Sequence, residues 1–300
     1  MAEPWSGVFP AITTAFTPDG RLDHQTIKKQ VRSLLDAGVH GIVALGSLGE
    51  NGVLSHQEKV EVLACAAEAV QGRVPLLAGV AETTTERASS FAREAERQGA
   101  TGLMLLPPMQ YQSDGRETLR HLQAVGKVSS IPIMIYNNPV AYRVDITPEM
   151  FRELAVEQKF VAIKESSGDP RRITDIRNLL GERYRIFVGV DDVALESFLL
   201  GAVGWVAGLA CAFPRESVAL FELFRQGRLD EARELYRWFM PLLHLDTSTK
   251  FVQYIKLAGQ IVGLGTEHVR PPRLPLEGEE RTRIEGIVRG ALERRPEVKP

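Results

Sequence analysis

Eight short apolar runs alternating with longer segments of helical period set the strongest limit on how this chain can fold. The runs span residues 7–12, 41–45, 75–80, 102–106, 132–136, 160–164, 185–190 and 204–207. Continuously apolar strands of about five residues are expected where a parallel sheet is covered on both faces. Helical patterns fill the gaps, among them 23–37, 55–70, 83–98, 116–128, 147–155 and 171–180. Ser55 followed by Glu58 reads as a capping box, and Thr147-Pro148 places proline at a first helical position. This alternation predicts a (β/α)8 barrel over residues 1–225. A doubly wound open sheet is the alternative, disfavoured by the count and the regular spacing. Beyond residue 225 the strand runs stop. Segments 228–243, 248–262 and 277–292 predict a C-terminal helical extension over residues 226–300, broken by the proline-rich stretch 269–275.

Composition removes several classes of function. Hydrophobic residues make up 44% and charged residues 25%, with a formal net charge of −2. No strong field is available to hold nucleic acid or an acidic membrane. No apolar run approaches ~18 residues, and the start carries no secretory pattern. Cys65 and Cys211 are the only cysteines, which fits a reducing cytoplasm. The six histidines are scattered, and none pairs with a second ligand at a metal spacing. The expectation is a cytoplasmic protein with neither metal nor organic cofactor, acting on a small molecule.

Barrel active sites lie at the carboxyl ends of the strands. Lys164 ends the sixth run, Phe160-Val161-Ala162-Ile163-Lys164, and a small polar turn follows it. Burial disfavours the ammonium form, and a neutral amine attacks carbonyl carbon. On the local run alone, a solvated surface lysine is equally compatible. Tyr136 ends the fifth run and can relay protons, or can simply pack in the barrel mouth. The second run leads into Gly46-Ser47-Leu48-Gly49, whose backbone N–H groups and Ser47 hydroxyl can bind a carboxylate. Asp191-Asp192 after the seventh run reads as the cap of the next helix rather than a metal site, and Trp205 and Met104 as barrel core.

In this order and on these strands, GSLGEN (46–51), IYNNP (135–139), VAIKESSGD (161–169) and FVGVDD (187–192) resemble the dihydrodipicolinate synthase/N-acetylneuraminate lyase family. The resemblance covers residues 7–265. It implies a barrel with a helical extension, in a homotetramer built as a dimer of dimers. It also implies Schiff-base chemistry on a 2-oxo acid. Lys164 would be the nucleophile, Tyr136 the proton shuttle with Ser47 as a catalytic partner through which its proton passes, and the turn at Ser47 and Leu48 the carboxylate cradle. Gly46, Gly49, Gln110, Tyr111, Asn138, Ala141, Gly189 and Val206 fall at substrate-facing positions of the same pattern.

Three departures bear on the substrate. Leu48 stands where the synthase subgroup has a second threonine. Gln110 stands where that subgroup has a tyrosine reaching a neighbouring subunit, with Tyr111 one place later. Ala141 stands where an arginine holds a second carboxylate. They argue against condensation of pyruvate with aspartate semialdehyde. GSLGEN with YNNPVAY resembles the branch handling hydroxylated 2-oxo acids or cyclic imines. The expected reaction is dehydration and deamination of 1-pyrroline-4-hydroxy-2-carboxylate to 2-oxoglutarate semialdehyde. A 4-hydroxy-tetrahydrodipicolinate synthase and a 2-keto-3-deoxy sugar acid aldolase or dehydratase are the alternatives. A non-catalytic sensor on the same barrel would lack Lys164 or Tyr136. A metal-dependent barrel would show clustered His and carboxylate ligands.

Overall fold

Residues along each apolar run alternate between two faces, and the fold gives each face its own layer. The computed structural model describes residues 5–108 and 110–298; residues 1–4, Met109 and residues 299–300 lie outside it. The strands are β1 (Gly7–Pro10), β2 (Ile42–Ala44), β3 (Leu76–Val80), β4 (Gly102–Leu105), β5 (Ile133–Asn137), β6 (Phe160–Glu165), β7 (Arg185–Val188) and β8 (Gly204–Ala207). They form one 8-stranded sheet in the order β1-β8-β7-β6-β5-β4-β3-β2, and every registered pair is parallel. A bridge between Ala11 and Val43 joins the end of β1 to β2 and closes the ring. The result is a (β/α)8 barrel, not the open sheet.

Side chains alternate across a strand, so one residue in two points inward. Phe9, Val43, Leu77, Met104, Met134, Ala162, Phe187 and Val206 pack together as one interior cluster. Val8, Ile42, Leu76, Leu103, Ile133, Ile163, Ile186 and Trp205 join the larger cluster shared with the helices. Each buried aliphatic or aromatic side chain contributes about 1.5–3 kcal/mol of transfer free energy, so both layers stabilise the ring. Met104 is therefore interior core. Trp205 is buried too, but in the outer layer.

The β5–β6 pairing carries an irregularity that strict alternation does not anticipate. Ile133 pairs with Phe160, but Met134 pairs with Ala162, so Val161 is an extra residue on β6. Phe160 packs in the outer cluster and Ala162 in the inner one. A bulge re-aims the residues that follow it. Ala162 faces inward because of it, and so does Lys164 two residues on.

The predicted helices form at His24–Asp36, His56–Val70, Thr85–Arg97, Gly115–Val128, Pro148–Leu154 and Arg171–Leu180. Ser55 and Glu58 make the reciprocal capping box, and Pro148 takes the first turn after Thr147. Two short helices, Pro139–Tyr142 and Ala194–Leu199, lack the length to show an apolar period. Pro214–Arg225 completes the eighth unit. The extension is formed by Leu229–Leu243, Phe251–Ile261 and Gly278–Glu293. Its first and last helices are tied by the Trp238 indole N–H, which donates to the Ala291 carbonyl at 3.1 Å. Among the described residues, no helix is long and apolar enough to cross a membrane.

Candidate active site

A cavity of about 620 Å³ opens at the carboxyl ends of the strands. Tyr136 and Lys164 are register partners on β5 and β6, and both continue the inward face begun by Met134 and Ala162. The Lys164 amine lies 4.0 Å from the centroid of the Tyr136 ring, within cation–π range. Both side chains are buried. Burial pushes Lys164 below the ordinary lysine range, opposed by the negative potential of Tyr142, Asp246 and Asp191. It pushes the Tyr136 phenol up, which keeps it protonated.

Gly189, just after β7, makes room for the lysine. A Cβ at this position would stand 2.4 Å from Lys164 Cε and 2.1 Å from Ser166 Oγ. Val206, from the inner face of β8, forms part of the floor.

The β2 turn lies across the cavity, with Gly46, Ser47 and Leu48 in its wall. Leu45 (φ 63°) and Glu50 (φ 56°) hold it in left-handed conformations on either side. Such strain in non-glycine residues persists only where the surroundings enforce it. The N–H groups of Ser47 and Leu48 donate to no acceptor among the described residues. Together they form a small concavity of free donors suited to a carboxylate. Gly49, expected to touch substrate, does not line the cavity. Its Cα packs on the barrel instead, where a Cβ would meet the Ile12 carbonyl oxygen at 3.1 Å.

Beyond β5 the chain turns sharply. Asn138 caps the helix Pro139–Tyr142 by accepting from Ala141 N at 2.9 Å, and its amide donates to the Tyr136 hydroxyl at 3.1 Å. Asn138 and Ala141 both line the cavity, but the Asn138 amide is already engaged in holding Tyr136. Gln110 and Tyr111 do not line it. Both are exposed, Tyr111 at 57%, and its hydroxyl is drawn to Glu117 on the following helix. Neither residue therefore reaches the cavity of its own chain.

The acidic pair is not a helix cap. Asp191 is fully buried and accepts from Trp205 Nε1 at 2.9 Å, Gly208 N at 3.1 Å and Leu209 N at 2.7 Å. It thus fixes the end of β8 from the end of β7, and burial raises its carboxyl to about 6. Asp192 lines the cavity and pairs with His244 Nδ1 at 2.9 Å. Among the described residues, no cluster of three His, Cys, Asp or Glu side chains is arranged to hold a metal ion.

Three lining residues were given no role from the sequence. Tyr142 hydrogen-bonds Ser47 Oγ. Asp246 enters from the extension, its carboxyl raised well above the ordinary range by burial and by the charge of Asp191. Arg273 reaches the wall from the strap before the last helix, 3.8 Å from Glu50 Oε2. Asp246 and Arg273 depend on the extension folding back over the barrel mouth, which no local motif announces, whereas Tyr142 is carried there by the single-turn helix that follows β5.

Comparison with known proteins agrees with this geometry. The 4-hydroxy-tetrahydrodipicolinate synthase of Methanoculleus marisnigri is 33% identical over 289 residues, covering 94% of this chain and 97% of the relative. The synthase of the same name from Methanothrix thermoacetophila is 30% identical over 283 residues, covering 94% and 95%. The solved 4-hydroxy-tetrahydrodipicolinate synthase of Methylacidiphilum fumariolicum SolV superposes with a TM-score of 0.90 at 29% identity, covering 97% of this chain and 98% of that one. A prophage protein of E. coli K12, solved in complex with pyruvate and belonging to the dihydrodipicolinic acid synthase family, gives a TM-score of 0.91 at 25% identity, covering 96% and 99%. The model of the Dihydrodipicolinate synthetase family matches residues 4–291, so the barrel with its mouth-lining lysine and tyrosine belongs to a chain that is a member of that family of lyases.

Proposed function

We propose that this lyase works through a Schiff base on Lys164 and acts on a small 2-oxo acid or the equivalent cyclic imine carboxylate. The observation that carries the reading is the pairing of a buried, inward-facing Lys164 with Tyr136 in one cavity. The preferred reaction is dehydration and deamination of 1-pyrroline-4-hydroxy-2-carboxylate to 2-oxoglutarate semialdehyde.

The free N–H groups of Ser47 and Leu48 receive the substrate carboxylate. The neutral Lys164 amine adds to C2, and the ring C2–N bond breaks to leave the substrate amine on C5. The iminium on Lys164 draws electrons and acidifies C3–H. Loss of that proton gives an enamine, whose electron pair expels the C4 hydroxyl as water with a proton supplied by an acid of the site. The double bond migrates to C5, and hydrolysis of the C5 imine and of the lysine adduct releases ammonia and product. In sum, one water is consumed and one ammonia leaves. No metal or organic cofactor is needed by these steps.

Support for an elimination comes from the cavity wall. At two positions where the synthase subgroup places polar groups, Ala141 presents no guanidinium and Leu48 no hydroxyl, which weighs against a second carboxylate held there. A second reading is the synthase reaction, in which the same adduct of pyruvate condenses with aspartate semialdehyde. It is favoured by the names of the relatives and by Arg273, a cation on the cavity wall that can meet a second carboxylate.

Two assays on the purified protein separate the readings. One follows 2-oxoglutarate semialdehyde and ammonia formed from 1-pyrroline-4-hydroxy-2-carboxylate. The other follows condensation of pyruvate with aspartate semialdehyde. Turnover in the second assay alone overturns the deaminase reading. Absence of any borohydride-trapped adduct on Lys164 with either substrate overturns the Schiff-base reading.

A further inference from the structure

We infer that Tyr142 completes the proton path of the site from within the same chain, through its hydrogen bond with Ser47 beside Tyr136. The inference rests on the Schiff-base reading of Lys164.

The local sequence places this side chain. Asn138 caps, Pro139 pre-sets the first turn, and Arg143 ends the helix in a left-handed conformation (φ 57°) with its N–H bonded to the Pro139 carbonyl at 2.9 Å. A single turn therefore carries residue 142 back over residue 138, where Tyr142 N donates to the Asn138 carbonyl at 3.0 Å. The Tyr142 ring meets the Tyr136 ring edge-on, with centroids 5.6 Å apart and planes at 89°. Its hydroxyl bonds Ser47 Oγ in the β2 turn, which ties the β2 and β5 sides of the mouth together.

Three hydroxyls thus gather next to the Lys164 amine, all supplied by one chain: Tyr136, Tyr142 and Ser47. Burial keeps both phenols protonated. The Tyr142–Ser47 bond gives a proton released by Tyr136 an adjacent pair of hydroxyls to enter. The segment after β4, where the family resemblance placed a group for a neighbouring subunit, is not needed to complete this set.

The path balances as proton exchange. When the C3–H bond breaks, its electron pair becomes the C2=C3 bond and the iminium pair returns to the Lys164 nitrogen. Tyr136 oxygen takes the proton and releases its own towards Ser47 and Tyr142. Reversal re-protonates C3. No oxidant or co-reactant is involved.

The test uses pyruvate as the probe. Exchange of its C3 protons in D2O is followed by NMR, and the Lys164 adduct is quantified by borohydride trapping and peptide mass mapping. Tyr142→Phe keeps the ring against Tyr136 and removes only the hydroxyl. The expected result is an undiminished adduct with exchange slowed about 10²-fold, the scale of one lost acid–base group. Ser47→Ala removes the other half of the same bond, so the double variant should lose no more than either single one. Wild-type exchange in Tyr142→Phe overturns the inference while leaving the Schiff base intact. Parallel loss of adduct and exchange also overturns it, since Tyr142 would then serve binding. Failure of the unaltered protein to form any adduct overturns the Schiff-base reading itself.

Discussion

The Lys164 amine stands 4.0 Å above the centre of the Tyr136 ring because the two residues are direct register partners on adjacent strands. The electron-rich ring face favours the ammonium, while burial works the other way and lowers the lysine below 10.5. The sign for catalysis follows. Activity needs the neutral amine, so it falls as pH drops through the depressed lysine value and holds above it.

Two variants separate the contributions of this pair. Lys164→Ala should abolish trapping by borohydride and lower turnover by orders of magnitude, since it removes the nucleophile. Tyr136→Phe keeps the ring and should retain the adduct while losing about 10²–10⁴-fold in kcat. The pH profile of kcat/KM for the unaltered protein should show its acidic limb well below the ordinary lysine range. A limb near 10.5 would show a solvated lysine instead.

Gly189→Ala tests the packing that positions the amine. The added methyl would sit 2.4 Å from Lys164 Cε. Overpacking of this kind costs about 1–3 kcal/mol in stability. The expected outcome is a modestly lowered Tm together with a much larger loss of adduct formation, because the lysine must swing aside. A variant that still traps substrate at the parent rate would show that the lysine has another place to lie.

The barrel was readable because eight largely apolar runs recur at regular spacing and most are followed by a helical period, the short helix Ala194–Leu199 being the exception after the seventh run. Lys164 and Tyr136 were readable because strand ends are fixed by those same runs. What escaped was non-local. The bulge at Val161 sets the direction of Lys164, and it is a property of the β5–β6 pairing rather than of β6 alone. Asp191 looked like a cap because acidic residues commonly precede helices, yet three donors near the end of β8 claim it. Asp246 and Arg273 reach the cavity only after the extension folds back, across intervals that no spacing rule covers. Gln110 and Tyr111 were placed by family pattern, at a position facing a neighbouring subunit, and neither lines the cavity of its own chain.

Asp246→Asn tests whether the extension contributes an acid. Burial and the charge of Asp191 raise this carboxyl well above 3.8. Between 3.8 and its raised value the folded carboxyl keeps a proton that the unfolded chain has lost. Stability from this group therefore falls as pH rises through that window. The asparagine variant escapes the loss, so its Tm relative to the parent should increase from pH 4 towards neutral. If Asp246 supplies the proton to the departing C4 oxygen, kcat should drop about 10²-fold and the alkaline limb of the profile should disappear. An unchanged kcat would confine Asp246 to shaping the cavity.

Lys256 and Glu50 form a fully buried pair that fastens the extension to the far side of the β2 turn. Lys256 also donates to the His268 carbonyl at 2.6 Å and lies 4.3 Å from the Phe16 ring centroid, while Arg270 N donates to Glu50 Oε2 at 3.2 Å. Removing one partner of a buried pair costs about 3–5 kcal/mol where the other charge is left unpaired; Arg273, 3.8 Å from Glu50, offsets part of that cost when Lys256 is lost. Lys256→Met should therefore destabilise strongly, as measured by denaturant unfolding, and should weaken substrate binding because Glu50 ends the turn that carries Ser47 and Leu48. Replacing both partners, Glu50→Gln with Lys256→Met, removes the stranded charge and should recover much of the stability. If the double variant is as unstable as the two single losses added together, the residues act independently and the pair is not what holds the turn.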